Sequence, residues 1–134
     1  MRIRFYETDS IFKRPEVMKR LRFLTNGGWG RHPEGSGMLE NLEARKNGWI
    51  ILAWDQGEIV GWSYLWKRRH DDNLQIGVYV APKHRRTGIG SKLAKKAKEF
   101  ADETDRTILS QGWNKAGLSF YNKNKIQYTS DWNY

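Results

Sequence analysis

Apolar positions recur along this chain at two periods, and the changes between them mark its elements. Arg2 to Thr8 alternates, with Ile3 and Phe5 opposed to Arg4 and Tyr6, and reads as a first strand. Pro15 suits the first turn of a helix whose apolar face is Val17, Met18, Leu21 and Leu24, and Asn26-Gly27-Gly28 stops it. From Asn26 to Gly37 the chain holds five glycines in twelve residues and reads as a loop carrying Trp29, Arg31, His32 and Glu34. Met38 to Lys46 is a short second helix, closed by Asn47-Gly48. Trp49 to Trp54 and Ile59 to Trp66 flank Asp55-Gln56-Gly57-Glu58, a hairpin by length and turn chemistry. Asn73 to Val80 is the next strand, and Pro82 ends it because proline cannot donate to a ladder. From about Gly88 to Glu103 the period becomes helical, with Ile89, Leu93, Ala97, Phe100, Ala101 and Thr104 on one face. Thr107 to Ser110 is a short strand, Lys115 to Lys123 a helix and Ile126 to Trp132 a last strand. The order is β-α-α-β-β-β-α-β-α-β.

A length of 134 residues suits one domain, 1–134, with a real core but no room for two. No apolar run approaches the ~18 residues of a membrane span. No signal-peptide pattern opens the chain, so a cytoplasmic location without membrane attachment is the expectation. With no cysteine present, disulfides, thiolate metal sites and a cysteine nucleophile are excluded, and no metal site is expected.

Charge changes the picture more. The net +9 is concentrated: residues 67–98 hold ten Lys and Arg against Asp71 and Asp72, a local +8. Such a field gathers anionic ligands. A nucleic-acid backbone would answer to it, and a solvated helix face explains Lys95, Lys96 and Lys98 with no ligand at all. At the centre of this region an apolar strand, Ile76 to Val80, runs through Pro82 into Lys83-His84-Arg85-Arg86-Thr87-Gly88-Ile89-Gly90 and then directly into a helix. Free N–H groups and the positive end of the dipole meet at a helix start, and glycine permits close approach, so the junction suits a phosphate. Lys92, just inside the helix, opposes the dipole unless a polyanion offsets it.

Arg85-Arg86-Thr87-Gly88-Ile89-Gly90 resembles the Q/R-x-x-G-x-G/A signature of the GCN5-related N-acetyltransferases, preceded as in that family by an apolar strand and a proline. Asn114-Lys115-Ala116-Gly117-Leu118-Ser119-Phe120-Tyr121 is similar to the family's later block, N-x-x-A-x-x-F-Y, at Asn114, Phe120 and Tyr121, with Gly117 where the block has alanine. The two blocks stand in the family's order. The resemblance implies an α/β (α+β) fold with a mixed, mostly antiparallel twisted sheet of six to seven strands and about four helices. It implies an acetyl-CoA-dependent N-acetyltransferase, in which a primary amine attacks the thioester directly in a ternary complex.

What the resemblance implies for single residues follows the motif. The strand before the loop splays from its parallel neighbour, so backbone groups of Val78, Tyr79 and Val80 would meet the pantetheine arm and the thioester carbonyl. Main-chain amides of Arg85, Arg86, Thr87, Gly88, Ile89 and Gly90 would hold the pyrophosphate, with the Ser91 hydroxyl nearby. Tyr121 would protonate the departing thiolate, a sensible task for a phenol of pKa ~10; packing of the helix on the sheet is its other reading. Asn114 would bind the pantetheine, or cap its helix, or both. Tyr121 is followed by Lys125-Ile126 where the family usually has Gly-Phe.

The general base stays open. Many family members carry a glutamate on the strand before the loop, but Leu74-Gln75-Ile76-Gly77-Val78 has none. His70, Asp71 and Asp72 stand at its start, and His32, Glu34 and Glu40 lie near the glycine-rich loop. The acceptor side is equally open, with Trp29 the aromatic expected there. Trp62, Tyr64 and Trp66 share one strand face and read as buried core in preference to a base-stacking platform. The alternative function is a non-catalytic protein on the same scaffold, binding CoA or an acidic protein or nucleic-acid partner through residues 67–98. No recognised nucleic-acid motif is present. Monomer and homodimer are both compatible with the chain.

Overall fold

The computed structural model describes residues 1–28, 48–68, 71–85, 87–110 and 115–129. The predicted second helix and the loop before it, with Trp29, His32, Glu34 and Glu40, lie outside the described residues, as do Arg86, Asn114 and the end of the last predicted strand.

Six strands form one sheet in sequence order: β1 (Arg2–Glu7), β2 (Gly48–Asp55), β3 (Glu58–Lys67), β4 (Leu74–Val80), β5 (Ile108–Ser110) and β6 (Gln127–Tyr128). The first four run antiparallel, and β4–β5 and β5–β6 are parallel. Two helices, α1 (Thr8–Phe12) and α2 (Pro15–Gly28), precede β2; α3 (Ile89–Glu103) links β4 to β5, and α4 (Lys115–Lys123) links β5 to β6. The parallel pairings require these crossovers, since a tight turn cannot return a strand in the same direction. The single turn of α1 replaces the end of the strand that the alternation predicts through Thr8: the Thr8 side chain is buried and Ile11 enters the core from this turn.

Helices cover both faces of the sheet. Ile11, Val17, Met18, Leu21 and Leu24 pack on Ile50, Leu52, Trp62, Tyr64 and Trp66. Leu93, Ala94, Ala97 and Ala101 of α3 pack on Ile51, Val60, Leu65, Leu74 and Ile76. The apolar content of β2 and β3 follows from this double cover. Trp62 and Trp66 are fully buried, which rules out a stacking platform for bases. The Trp62 indole donates to Thr25 Oγ1 at 3.2 Å, and that hydroxyl donates to Leu21 O at 2.7 Å.

Two local features fix the register of the central strands. The β2–β3 turn has positive φ at both Gln56 (51°) and Gly57 (78°), as the tightest hairpin turns require. In the β3–β4 pair Tyr64 faces Gly77, and a Cβ on Gly77 would lie 2.1 Å from Tyr64 Cε1. Glycine there is the space in which the Tyr64 ring lies.

Candidate active site

The site begins where β4 and β5 part. Their parallel pairing ends at Ile76 and Ser110, while β4 continues to Val80 against β3. Backbone groups alternate in direction along a strand. The Ala81 N–H donates to Val60 O on the β3 side, so Tyr79, two residues earlier, also presents its main chain to β3. Leu74, Val78 and Val80 face the other way: the Leu74 N–H reaches Thr107 O, and Val80 O accepts from Arg85 Nε at 3.3 Å. Of the three residues expected to offer backbone to a ligand, Val78 and Val80 therefore face the gap and Tyr79 does not. The Tyr79 ring instead stacks on Trp62, with centroids 5.3 Å apart and planes 20° apart.

Tyr121 reaches this gap from α4. Its hydroxyl accepts the Val78 N–H at 3.1 Å and is hydrogen-bonded to the Ser110 side chain. Burial of that hydroxyl pushes its pKa up to about 12, against the lowering effect of the Val78 and Ser110 hydrogen bonds. The group is therefore a neutral proton donor throughout the physiological range. Ser110 itself escaped sequence reading; its only signal is a hydroxyl at the end of the apolar run Ile108-Leu109-Ser110.

The turn before α3 lies beside the gap. Pro82–His84 forms one 3₁₀ turn, the Thr87 hydroxyl donates to His84 O, and Gly88 takes φ +86° as the residue capping α3. A Cβ on Gly88 would touch nothing within 4 Å, so glycine serves the left-handed backbone and leaves the approach open. The first helical bond runs from the Lys92 N–H to Gly88 O, and no side chain caps the helix. The N–H groups of Ile89, Gly90 and Ser91 thus precede the intrahelical ladder. Their dipoles and the exposed Lys83, Arg85 and Lys92 make this end electropositive.

Gly90 has a different reason. A Cβ there would meet Phe120 Cε2 at 3.0 Å, so its absence lets α4 pack on the first turn of α3. That contact carries Tyr121, the next residue, to β4. The Ile89 side chain is buried over Gly61, which leaves only its main chain for a ligand.

The proposed basic surface is smaller than the sequence count. Arg68 is only 4% exposed; its guanidinium donates to Gln75 Oε1 at 2.9 Å and pairs with Asp71 at 3.3 Å. Asp71 also accepts the Asn73 N–H at 3.0 Å, so both residues are consumed in closing the β3–β4 turn. Asp71 and Asp72 precede β4 at the end remote from Val78, beyond four residues at ~3.3 Å each. Neither touches the gap directly. Among the described residues no group of three or more His, Asp or Glu side chains is arranged to hold a metal ion, and no helix is long and apolar enough to cross a membrane.

Known structures share this arrangement of elements. An aminoglycoside 6′-N-acetyltransferase from Acinetobacter haemolyticus, without ligand, superposes with a TM-score of 0.69 at 20% identity, covering 100% of this chain and 96% of that one. AAC(6′)-Iy in complex with the bisubstrate analogue CoA-S-monomethyl-acetylneamine gives 0.68 at 16% identity, over 97% and 92%. A ribosomal-protein-alanine N-acetyltransferase from Brucella melitensis gives 0.63 at 18%, over 92% and 82%. No curated protein matches the chain in sequence. The model of the acetyltransferase (GNAT) family matches residues 14–125, which span α2 through α4 and the whole of the gap. The chain belongs to the GNAT acetyltransferase family.

Proposed function

We propose that this protein is an acetyl-CoA-dependent N-acetyltransferase that moves an acetyl group to a primary amine by direct attack in a ternary complex. The observation that carries this reading is the Tyr121 hydroxyl on the Val78 N–H at the parting of β4 and β5. It places a proton donor and a backbone donor together beside an uncapped helix start. The neighbours support the same reading, since one of them was solved with a CoA-bearing bisubstrate analogue.

The residues present fit CoA. Open space at Gly88, the unladdered N–H groups of Ile89 to Ser91 and the nearby cations suit a pyrophosphate. The gap-facing backbone of Val78 and Val80 suits an amide-bearing arm. Acetyl-CoA when bound supplies an acyl carbon on a thiol leaving group. Arg85 holds Val80 O and so keeps the strand end in place. Val78 gives its N–H to the Tyr121 oxygen and so holds the phenol at the gap. Tyr121 gives its phenolic proton to the sulfur as the C–S bond breaks and the N–C bond forms; the proton lost by the amine leaves to solvent, which restores the phenol. An ordinary thiol has pKa ~8.5, so donation from a phenol at about 12, a value that already includes the Val78 and Ser110 hydrogen bonds, is uphill by ~5 kcal/mol.

The acceptor is a primary amine. Aminoglycosides are the first class to try, because two of the structures described above are enzymes of that kind. The test is thiol release from acetyl-CoA across aminoglycosides, polyamines, lysine peptides and peptide N-termini. The chain has no cysteine, so a thiol reagent reads product without background. Turnover with one class is the expected result, and no acetyl transfer to any amine while acetyl-CoA still binds would refute the catalytic reading. That negative result is the one expected of a CoA-binding protein without turnover, a reading favoured by the absence of any carboxylate from β4.

A further inference from the structure

Ser110 is 1% exposed at the end of an otherwise apolar three-residue strand. Alanine would fill such a position at lower cost, since a buried hydroxyl must find a partner. Its backbone is immobilised from both sides: Ser110 pairs with Ile76 of β4 and with Tyr128 of β6, and its carbonyl accepts the Thr129 N–H at 2.9 Å. Ile108 lies in the core on the α3 side, and strand alternation turns Ser110 to the same face, where Tyr121 packs. Serine, strand end and phenol therefore meet at the point where the sheet opens.

We propose that Ser110 is the positioning residue of Tyr121, filling with the Val78 N–H both acceptor directions of the phenol and so aiming its O–H into the gap. A phenol oxygen has one proton and two acceptor sites. With a main-chain donor on one and the serine hydroxyl on the other, the remaining direction belongs to the proton. The same two donors then stabilise the oxygen after the proton has gone. The proposal rests on the reading of Tyr121 as the acid.

Its test uses protein labelled with [¹³Cζ]tyrosine, in which the Tyr121 signal is the one missing from Tyr121→Phe. The Cζ shift reports hydrogen bonding at the phenol oxygen without any ligand. Ser110→Ala is expected to move that signal and to lower kcat for acetyl transfer by about tenfold to a hundredfold, the worth of one hydrogen bond to a charged oxygen. KM for acetyl-CoA should stay within about twofold, and Ser110→Thr should restore both signal and rate. A folded Ser110→Ala with an unmoved signal, or with a moved signal and an unchanged kcat, overturns the proposal. If Ser110→Ala does not fold, Ser110→Cys takes its place with the same readouts, its product followed as acetylated amine. Wild-type turnover in Tyr121→Phe, with the Ser110→Ala signal still displaced, would instead mark the failure of the acid reading while leaving the contact intact.

Discussion

The hydroxyl of Tyr121 accepts the main-chain N–H of Val78 at 3.1 Å, joining residues 43 positions apart at the one place where β4 has outrun β5. The interaction satisfies a sheet donor that has lost its strand partner. It also sets a proton donor beside the backbone that would face a thioester. Removal of the hydroxyl alone therefore separates chemistry from binding. Tyr121→Phe keeps the ring against Phe120 and should lower acetyl transfer about a hundredfold or more. Acetyl-CoA affinity, read by calorimetry, should stay within about threefold; an unchanged rate would leave Tyr121 as a packing residue.

The raised Tyr121 pKa makes a second prediction, about stability. The folded value is about 12 and the unfolded reference is 10.0, so the folded state holds this proton more tightly. Its contribution is fully present below pH ~10 and is lost as pH rises through ~12, at up to ~1.4 kcal/mol per pH unit. Denaturant unfolding at pH 9 and pH 11 should show the wild type losing about 1 kcal/mol more than Tyr121→Phe. Parallel losses in the two proteins would show that the phenol titrates normally.

Gly88 tests the anion site. Acetyl-CoA at ~100 times its dissociation constant should stabilise the fold by ~2.7 kcal/mol, visible as a thermal shift. Gly88→Glu places bulk and negative charge where a phosphate would sit, and should abolish the shift. Gly88→Ala strains φ +86° but meets no neighbour, so it should cost about 1 kcal/mol of stability and keep most of the shift. A full shift in Gly88→Glu would move the phosphate elsewhere.

Arg68 and its neighbour Lys67 should behave oppositely, although both belong to the same basic run. Arg68→Ala leaves the Gln75 oxygen and Asp71 without their guanidinium and should cost about 2 kcal/mol in urea unfolding. Lys67→Ala should change stability by no more than about 0.5 kcal/mol. Equal costs would mean that Arg68 is not the tie that closes the β3–β4 turn.

Gly77→Ala should destabilise by about 2 kcal/mol or more, because its methyl group would lie inside the Tyr64 ring. The double variant Tyr64→Ala/Gly77→Ala should recover part of that loss relative to additivity. Strict additivity of the two single effects would show that the sheet accommodates the methyl without touching the ring.

Local pattern determined most of the elements. The 3.6-residue spacing of Ile89, Leu93, Ala97 and Ala101 marked the buried face of α3, and the predicted Asp55–Glu58 connection is the observed hairpin turn. These signals are short-range, since neighbouring residues share one element and one face. The two motifs likewise marked the family, and residues 14–125 match it. Tertiary structure decided what each motif residue faces. Gly88 and Gly90 look equivalent in sequence, yet one adopts positive φ in open space and the other makes room for Phe120. Val78 and Tyr79 are adjacent, but alternation sends one backbone to the gap and the other to β3. Arg68 reads as surface charge until Gln75 and Asp71 close on it. Ser110 gains its role only because the β4–β5 ladder stops beside it. Each of these depends on where a strand pairing ends or on a contact between distant elements, and the free energy of such contacts resides in the assembled sheet, not in the local chain.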